Sequence, residues 1–340
     1  KIHQTPEEGW TEFQTTWLVA ERLRALGLKV LLGTQVINPK AVMGRDPKLV
    51  EAAIKRALAA GVPQSFIDET GGYTGAVAVL ETGRPGPVTA FRSDMDCVLV
   101  TESDSPDHLP TACGFSSKRP GFMHACGHDG HTSVALEVCR WLVDHKDQLK
   151  GTIKVLFQPA EEGVRGAGAM AASGVVDDVD TLIGAHVGTF AKLGTIGLCE
   201  SGFLASTKID VHFHGRPSHA GADPEKGRSA LDGLILACQG VEFLREHVPS
   251  DVRMHYTIVN CGGTAANVVP GYAEASMYVR SYNRTELDGV VARVKKVLQG
   301  AAMMTETEVE IIEEKSLDNK IPVLALNELV MEQAEKVHAP

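Results

Sequence analysis

The sequence predicts an α/β fold interrupted by a smaller α+β domain of ferredoxin-like order. Three observations lead there. The chain has 340 residues, more than one hydrophobic core usually organises. Short apolar runs alternate with stretches of helical period up to about residue 202, the pattern of a sheet with helices on its faces. After Phe203 the order changes to strand, helix, strand, strand, helix, strand.

Taken in order, Trp10, Phe13, Trp17, Leu18, Ala20, Leu23 and Leu26 recur at helical spacing until Gly27 stops the run. Pro47 to Ala60 reads as a second helix, closed by Gly61. Ala76 to Leu80 and Val88 to Phe91 read as buried strands around the turn Thr82-Gly83-Arg84-Pro85-Gly86. Helical character returns over Thr132 to Leu142, and strands are expected at Gly151 to Phe157 and Thr181 to Ala185. Beyond residue 203, Lys208 to His214 alternates polar and apolar, as a half-exposed strand does. A helix over Ser229 to Glu246 follows, then strands at Met254 to Val259 and Ala273 to Val279. A helix over Glu286 to Gly300 and a strand over Glu308 to Glu313 complete the smaller domain. Val323 to His338 is expected to be a helix that returns to the first domain. The expected division is therefore 1–202 for the first part of one domain, 203–315 for the insert, and 316–340 for the return.

Hydrophobic residues at 44% and charged residues at 22% exclude disordered and fibrous classes. A net charge of −10 argues against non-specific binding to nucleic acid or anionic membranes. The apolar runs are too short to span a bilayer and the first residues do not read as a signal peptide, so a soluble protein is expected. Seven cysteines, an odd number without a CxxC pair, fit a reducing, cytoplasmic setting.

The densest chemistry lies in His124-Ala125-Cys126-Gly127-His128-Asp129-Gly130-His131, between a glycine-bearing loop and a helix. Imidazole and thiolate are the donors that Zn²⁺ or Mn²⁺ sites use. The same histidines in a plain loop would cap the helix or bond one another. Upstream, Asp94 and Asp96 end a buried strand two residues apart, so both project to one side. Downstream, Glu161-Glu162 follow the strand ending at Phe157 and point different ways. One can hold a metal while the other serves as general base. His186 ends the strand over Thr181 to Ala185 and offers another nitrogen.

Four motifs in this order and spacing resemble one family. They are Arg92-Ser93-Asp94-Met95-Asp96, the His124–His131 run, Gln158-Pro159-Ala160-Glu161-Glu162-Gly163 and Ala185-His186-Val187. The resemblance is to the amidohydrolase (aminoacylase-like) branch of the dinuclear metallo-carboxypeptidases, which includes hippurate and auxin-conjugate hydrolases. It runs from Ile2-His3-Gln4 to beyond residue 315. It implies a metallopeptidase catalytic domain with an inserted lid and dimerisation domain. It also implies two divalent ions, Mn²⁺ or Zn²⁺, held by Cys126, His128, Glu162 and His186. Glu161 would be the general base, and Asp96 would orient it or a ligand. Asp94 stands where more distant relatives place a metal-binding histidine and is expected to support the site from behind.

The insert carries Gly215-Arg216-Pro217-Ser218-His219-Ala220-Gly221, then Gly262 to Pro270, then Val279-Arg280. By resemblance His219 would reach an active site, often that of a partner copy, and stabilise the oxyanion. Asn267 and Arg280 would hold the substrate's polar end, a guanidinium fork being suited to a carboxylate. Read without the resemblance, these stretches are glycine-rich turns with a stray histidine. The implied reaction is hydrolysis of an amide joining an acyl or aroyl group to an amino acid. Folate-derived p-aminobenzoyl-glutamate is the preferred substrate and other N-acyl amino acids, hippurate-like, come next. A homodimer, or a hetero-oligomer with a related subunit, is expected.

The family closes its metal site with a last histidine near a C-terminal His-x-x-x-Phe pattern, which this sequence lacks; a fragment is expected. Two rival readings are a hydrolase with Cys126 as nucleophile and a non-catalytic assembly subunit. Adjacent glutamates after a strand have no work in the former.

Overall fold

A computed structural model describes residues 1–188, 192–198, 200 and 202–337. Cys199 and His338 lie outside the described residues. The chain divides into two compact units, Lys1–Thr189 and Phe190–Pro340.

Unit 1 runs α1 (Phe13–Ala25), β1 (Lys29–Leu32), α2 (Pro47–Ala59), α3 (Gln64–Thr70), β2 (Ala76–Glu81), β3 (Val88–Asp94), α4 (Leu109–Ala112), α5 (His128–Asp144), β4 (Thr152–Gln158), α6 (Gly166–Ala171) and β5 (Thr181–Gly184). The sheet order is β1-β2-β4-β3-β5. β3 is parallel to both β4 and β5, while β2 runs antiparallel to β1 and β4.

Successive side chains of a strand face opposite ways, and β2 uses both faces. Ala76, Ala78 and Leu80 pack with Phe13, Leu23, Ala53 and Cys139 from the helices on one side. Val77 and Val79 pack with Trp10, Ile37, Leu156 and Met170 on the other. That is why the strand reads as a continuous apolar run rather than an alternating one. α2 begins where expected because Asp46 accepts from Lys48 N–H and Pro47 presets the first helical φ.

Two local readings change, and the structure adds the pairing around one turn. Trp10 is not helical; it precedes α1 with φ of 71°, and its indole N–H donates to the Met43 carbonyl at 2.8 Å. The turn at Thr82–Gly86 does not close a hairpin, because β4 lies between β2 and β3. α5 starts at His128, four residues earlier than its apolar period indicated, so His128 and His131 stand on its first turn.

Unit 2 contains β6 (Ala205–His214), α7 (Ala230–Arg245), β7 (Arg253–Asn260), β8 (Tyr272–Ser281), α8 (Arg284–Thr305), β9 (Glu308–Leu317) and α9 (Leu324–Lys336). Its sheet order is β7-β8-β6-β9, with neighbouring strands antiparallel throughout, the ferredoxin-like arrangement. Ile209, Val211 and Phe213 of β6 and Ala273, Ala275, Met277 and Val279 of β8 pack against Leu234, Ala237, Leu287, Val294 and Leu298 of the two long helices.

Phe157 is fully buried in β4, the strand that leads into the Glu161-Glu162 segment. Phe157→Ala is expected to lower stability by about 3–5 kcal/mol, measured as a shift in the urea unfolding midpoint.

Candidate metal centre

The parallel register sets Asp94 opposite Gln158 and Arg92 opposite Gly184. The carboxyl ends of β3, β4 and β5 therefore lie abreast, where α/β sheets place their sites. Asp96 follows the first of these ends, Glu161 and Glu162 the second, and His186 the third. The first turn of α5 adds His128 and His131, with Cys126 just before it.

His128 is central. Its side chain is fully buried, and neither ring nitrogen has a hydrogen-bond partner. Nε2 lies 3.7 Å from Asp94 Oδ1, 3.8 Å from Glu161 Oε2 and 3.9 Å from Glu162 Oε1. Nδ1 lies 3.4 Å from Asp96 Oδ1, an ionic approach more than a hydrogen bond. Burial opposes charging this ring, but Asp96, Asp94 and Glu161 together raise its pKa above the usual histidine value. Donor atoms of Cys126, His128 and Glu162 lie within 4.8 Å of one another, as do those of Asp94, His128, His131 and His186. A buried imidazole without a partner among several carboxylates is costly unless a cation occupies the gap. The residues present fit a borderline divalent metal.

His131 differs from His128. Its Nε2 accepts from Val187 N–H at 2.9 Å, so the ring proton sits on Nδ1 and goes to Asp94 Oδ1 at 2.6 Å. Both nitrogens are occupied, and His131 braces the site. Asp94 Oδ2 also meets Arg92 Nη1 at 2.7 Å, and Arg92 Nε donates to Gln158 Oε1 at 2.8 Å. Burial pushes the Asp94 carboxyl up, but the His131 hydrogen bond and the charges of Arg92 and His128 outweigh it and hold the group at about 2.

Asp96, also fully buried, accepts from Glu161 N–H and Glu162 N–H, each at 3.0 Å. Burial raises the pKa of Glu161; Arg92 opposes the rise and Glu162 adds to it. His186 donates Nδ1–H to the Val187 carbonyl at 2.7 Å, which leaves the Nε2 lone pair facing Cys126 Sγ at 3.6 Å. Burial and the neighbouring Glu162 push the Cys126 thiol up to about 11.

Residues 90–337 match the sequence model of Peptidase family M20/M25/M40. The chain belongs to this family. Over 340 residues it is 38% identical to a Haemophilus influenzae homolog of one p-aminobenzoyl-glutamate hydrolase subunit, covering 98% of this chain and 80% of that protein. It is 41% identical over 312 residues to the indole-3-acetyl-aspartic acid hydrolase of Enterobacter agglomerans, covering 91% of this chain and 71% of that one. Among solved structures, the aminobenzoyl-glutamate utilization protein of Klebsiella pneumoniae superposes with a TM-score of 0.77 at 34% identity, covering 98% of this chain and 78% of that one. The M20 relationship accounts for the α/β unit, the ferredoxin-like unit and the metal-capable cluster together.

In unit 2, His219 bridges to Val268, and Ala220 N–H donates to the Asn267 carbonyl at 2.9 Å. His219 and Asn267 thus share one pair of loops. His219 Nδ1 accepts from Gly221 N–H and Ala222 N–H, both at 3.1 Å, so its ring proton is on Nε2. Arg280 is not brought to them. It lies eight residues along β8 from Tyr272, the residue opposite His214 from which the His219 loop departs. That is about 26 Å of strand. The Arg280 guanidinium stands 4.5 Å over the Tyr278 ring. A third metal-capable group, His212, His214 and Glu310, lies partly exposed on this sheet, with His212 Nδ1 3.1 Å from Glu310 Oε2.

Sequence reasoning missed several residues around the M20 centre. Glu7 and Glu12 precede an amphipathic helix and look like solvated starting acids, yet both are buried. His3, in the N-terminal segment that the resemblance covers, lies against two carboxylates that accept from its ring, Glu102 Oε1 at 2.9 Å and Asp129 Oδ2 at 2.8 Å. Glu102 also meets His108 Nε2 at 2.9 Å and accepts from Ser117 N–H, so it ties residues 102–117 to the N-terminus.

Burial raises the Glu102 carboxyl, but the Ser117 N–H and the two histidines more than offset this and hold it at about 2. Its folded pKa lies below the ordinary glutamate value, so its contribution is full above about pH 5 and fades as pH falls towards 2. Glu102→Gln is therefore expected to be less stable than the native chain at pH 6, with the two unfolding curves converging by about pH 2. Denaturant midpoints across that range measure it.

Proposed function

We propose that this chain is a metal-dependent amidohydrolase cleaving the amide between an aromatic acyl group and an acidic amino acid, with p-aminobenzoyl-glutamate the foremost substrate. The observation that carries the reading is a proton acceptor of raised pKa, Glu161, 3.8 Å from an unpartnered buried histidine inside a metal-capable cluster. The relatives named above add the substrate class: their names pair aminobenzoyl with glutamate and indole-acetyl with aspartate. Other N-acyl amino acids form the next class to test.

Cys126, His128, Glu162 and His186 would hold two divalent ions, Mn²⁺ or Zn²⁺. Such ions supply Lewis-acid polarisation of the amide carbonyl and make water more acidic. Glu161 takes the proton of the attacking water and hands it to the leaving amine; its raised pKa makes it the stronger base in the first transfer. Asp96 acts through the backbone, holding the two glutamates in place. His219, with its proton on Nε2, is a donor suited to the developing oxyanion. Asn267 and Arg280 bind the polar end of the substrate. The length of β8 between His219 and Arg280 suits a dimer in which one copy supplies the arginine and the partner supplies the histidine. In this reading residues 203–315 form the lid and dimer surface and 316–340 return to the catalytic domain. The alternative partner is a related second subunit, since one relative is itself named for a hydrolase subunit.

A cysteine-nucleophile mechanism needs a thiolate near neutral pH, and burial of Cys126, with the carboxylates around it, works against one. Among the described residues no helix is long and apolar enough to cross a membrane. A cytoplasmic setting is part of this proposal, supported by seven cysteines without a CxxC pair.

The test is release of p-aminobenzoate from p-aminobenzoyl-glutamate before and after chelation, with Mn²⁺ or Zn²⁺ added back. Activity should vanish and return. Glu161→Gln should lose about 10²–10⁴-fold in kcat while keeping its metal. Undiminished turnover after exhaustive chelation, or a Glu161→Gln variant within tenfold of native, would sink the mechanism.

A further inference from the structure

We propose that Glu12 is a positioning residue for the hydrolytic centre, forming with Asp96 a clamp on three consecutive backbone N–H groups that aims Glu161 and Glu162. Ala160 N–H donates to Glu12 Oε1 at 2.7 Å, Glu161 N–H to Asp96 Oδ1 and Glu162 N–H to Asp96 Oδ2, each at 3.0 Å. Both carboxyl groups are fully buried. The segment they hold would not keep this shape unaided: Ala160 has φ of 48°, a left-handed value that alanine rarely adopts.

Glu12 occupies the N-cap position of α1, but its side chain makes no cap hydrogen bond with that helix. Glu7 does that work, accepting from Gln14 N–H at 3.2 Å and Thr15 N–H at 2.9 Å. The Glu12 carboxyl group is therefore released from the usual task of its position and turned to the loop after β4. Its second oxygen accepts from the buried Thr74 hydroxyl at 2.6 Å, which locks the side chain's direction. Gly9 brings the same N-terminal segment against the loop, since a Cβ there would stand 2.9 Å from Ala160 Cα. Burial and the nearby Asp96 charge raise the Glu12 pKa to about 8. An acid kept in so unfavourable a place fits a role in geometry more than one in stability.

This inference rests on Glu161 being the general base, and the experiment separates the two. In Glu12→Gln the amide oxygen still accepts from Ala160 N–H while the NH₂ group can donate to Thr74 Oγ1. Its kcat on p-aminobenzoyl-glutamate should stay within about threefold of native. Glu12→Ala leaves the Ala160 N–H unpaired and should lower kcat about 10²-fold with KM nearly unchanged. Its Mn²⁺ affinity should also fall about 10–100-fold, through displaced Glu162. A folded, metal-loaded Glu12→Ala enzyme with native kcat and affinity would overturn the clamp, as would equal losses in the alanine and glutamine variants. If the alanine variant does not fold, or the native chain turns over no N-acyl amino acid, amide hydrogen exchange in the native protein decides. The amides of Ala160, Glu161 and Glu162 should exchange as slowly as those of β4; rates of an open loop would refute the proposal.

Discussion

The parallel pairing of β4 with β3 is the constraint on which the rest of unit 1 depends. With Asp94 set opposite Gln158, the two chains leave the sheet side by side and in the same direction. Asp96 is then close enough to accept from the backbone after β4, and Arg92 close enough to bridge Asp94 and Gln158. β5 pairs with the other side of β3 in the same sense, which delivers His186 to the same edge. An antiparallel β4 would carry Glu161 and Glu162 to the far end of the sheet. A slip of one residue would turn Arg92 and Asp94 away from their partners.

Close packing of acids follows from that arrangement, and it has to be offset. Asp94, Asp96, Glu12, Glu161 and Glu162 converge within unit 1, and two of their effects are visible as pKa values pushed up, at Glu12 and Glu161. Asp94 escapes by pairing with Arg92 and His131. Asp96 and Glu12 each direct their oxygens at N–H and O–H donors. The remaining negative charge gathers around His128 and Cys126, where soft and borderline donors are also found. A divalent cation is the natural counter-charge for such a group, and the M20 relationship agrees.

How much of this could be read from the chain alone depends on how local each signal is. The strands β2, β3, β4 and β6 show in runs of Ala, Val, Ile and Phe, and the cluster around His128 shows as density of donors within eight residues. Pairing partners do not show: the turn at Thr82–Gly86 has good hairpin chemistry, yet Ala76–Glu81 pairs with Thr152–Phe157, far along the chain. The start of α5 was hidden because His128 to His131 lack apolar period, while their helical state comes from Gly127, whose φ of 89° turns the chain into the helix. A Cβ at that glycine would also stand 2.6 Å from Val187 Cγ2. Glu7 and Glu12 were the least legible. Acids before an amphipathic helix are ordinary at a surface, and only the tertiary fold buries these two.

The two histidines on the first turn of α5 show how the fold divides labour between like residues. Three positions apart, they share a helix face and their rings lie 5.5 Å apart. The chain leaving β5 passes over His131 and gives it the Val187 N–H, which fixes its proton on the side of Asp94. From Asp94 the connection continues through Arg92 to Gln158, so one line of hydrogen bonds joins β5, α5, β3 and β4. His131 thereby has its one free lone pair, on Nε2, taken by the Val187 N–H and its Nδ1 proton given to Asp94, and it becomes the strut that holds the strand ends together. His128, three residues nearer the N-terminus, meets no backbone donor and keeps both nitrogens open. What separates a brace from a histidine with open nitrogens is thus the path of one backbone amide, which residue identity in the His124–His131 motif does not encode.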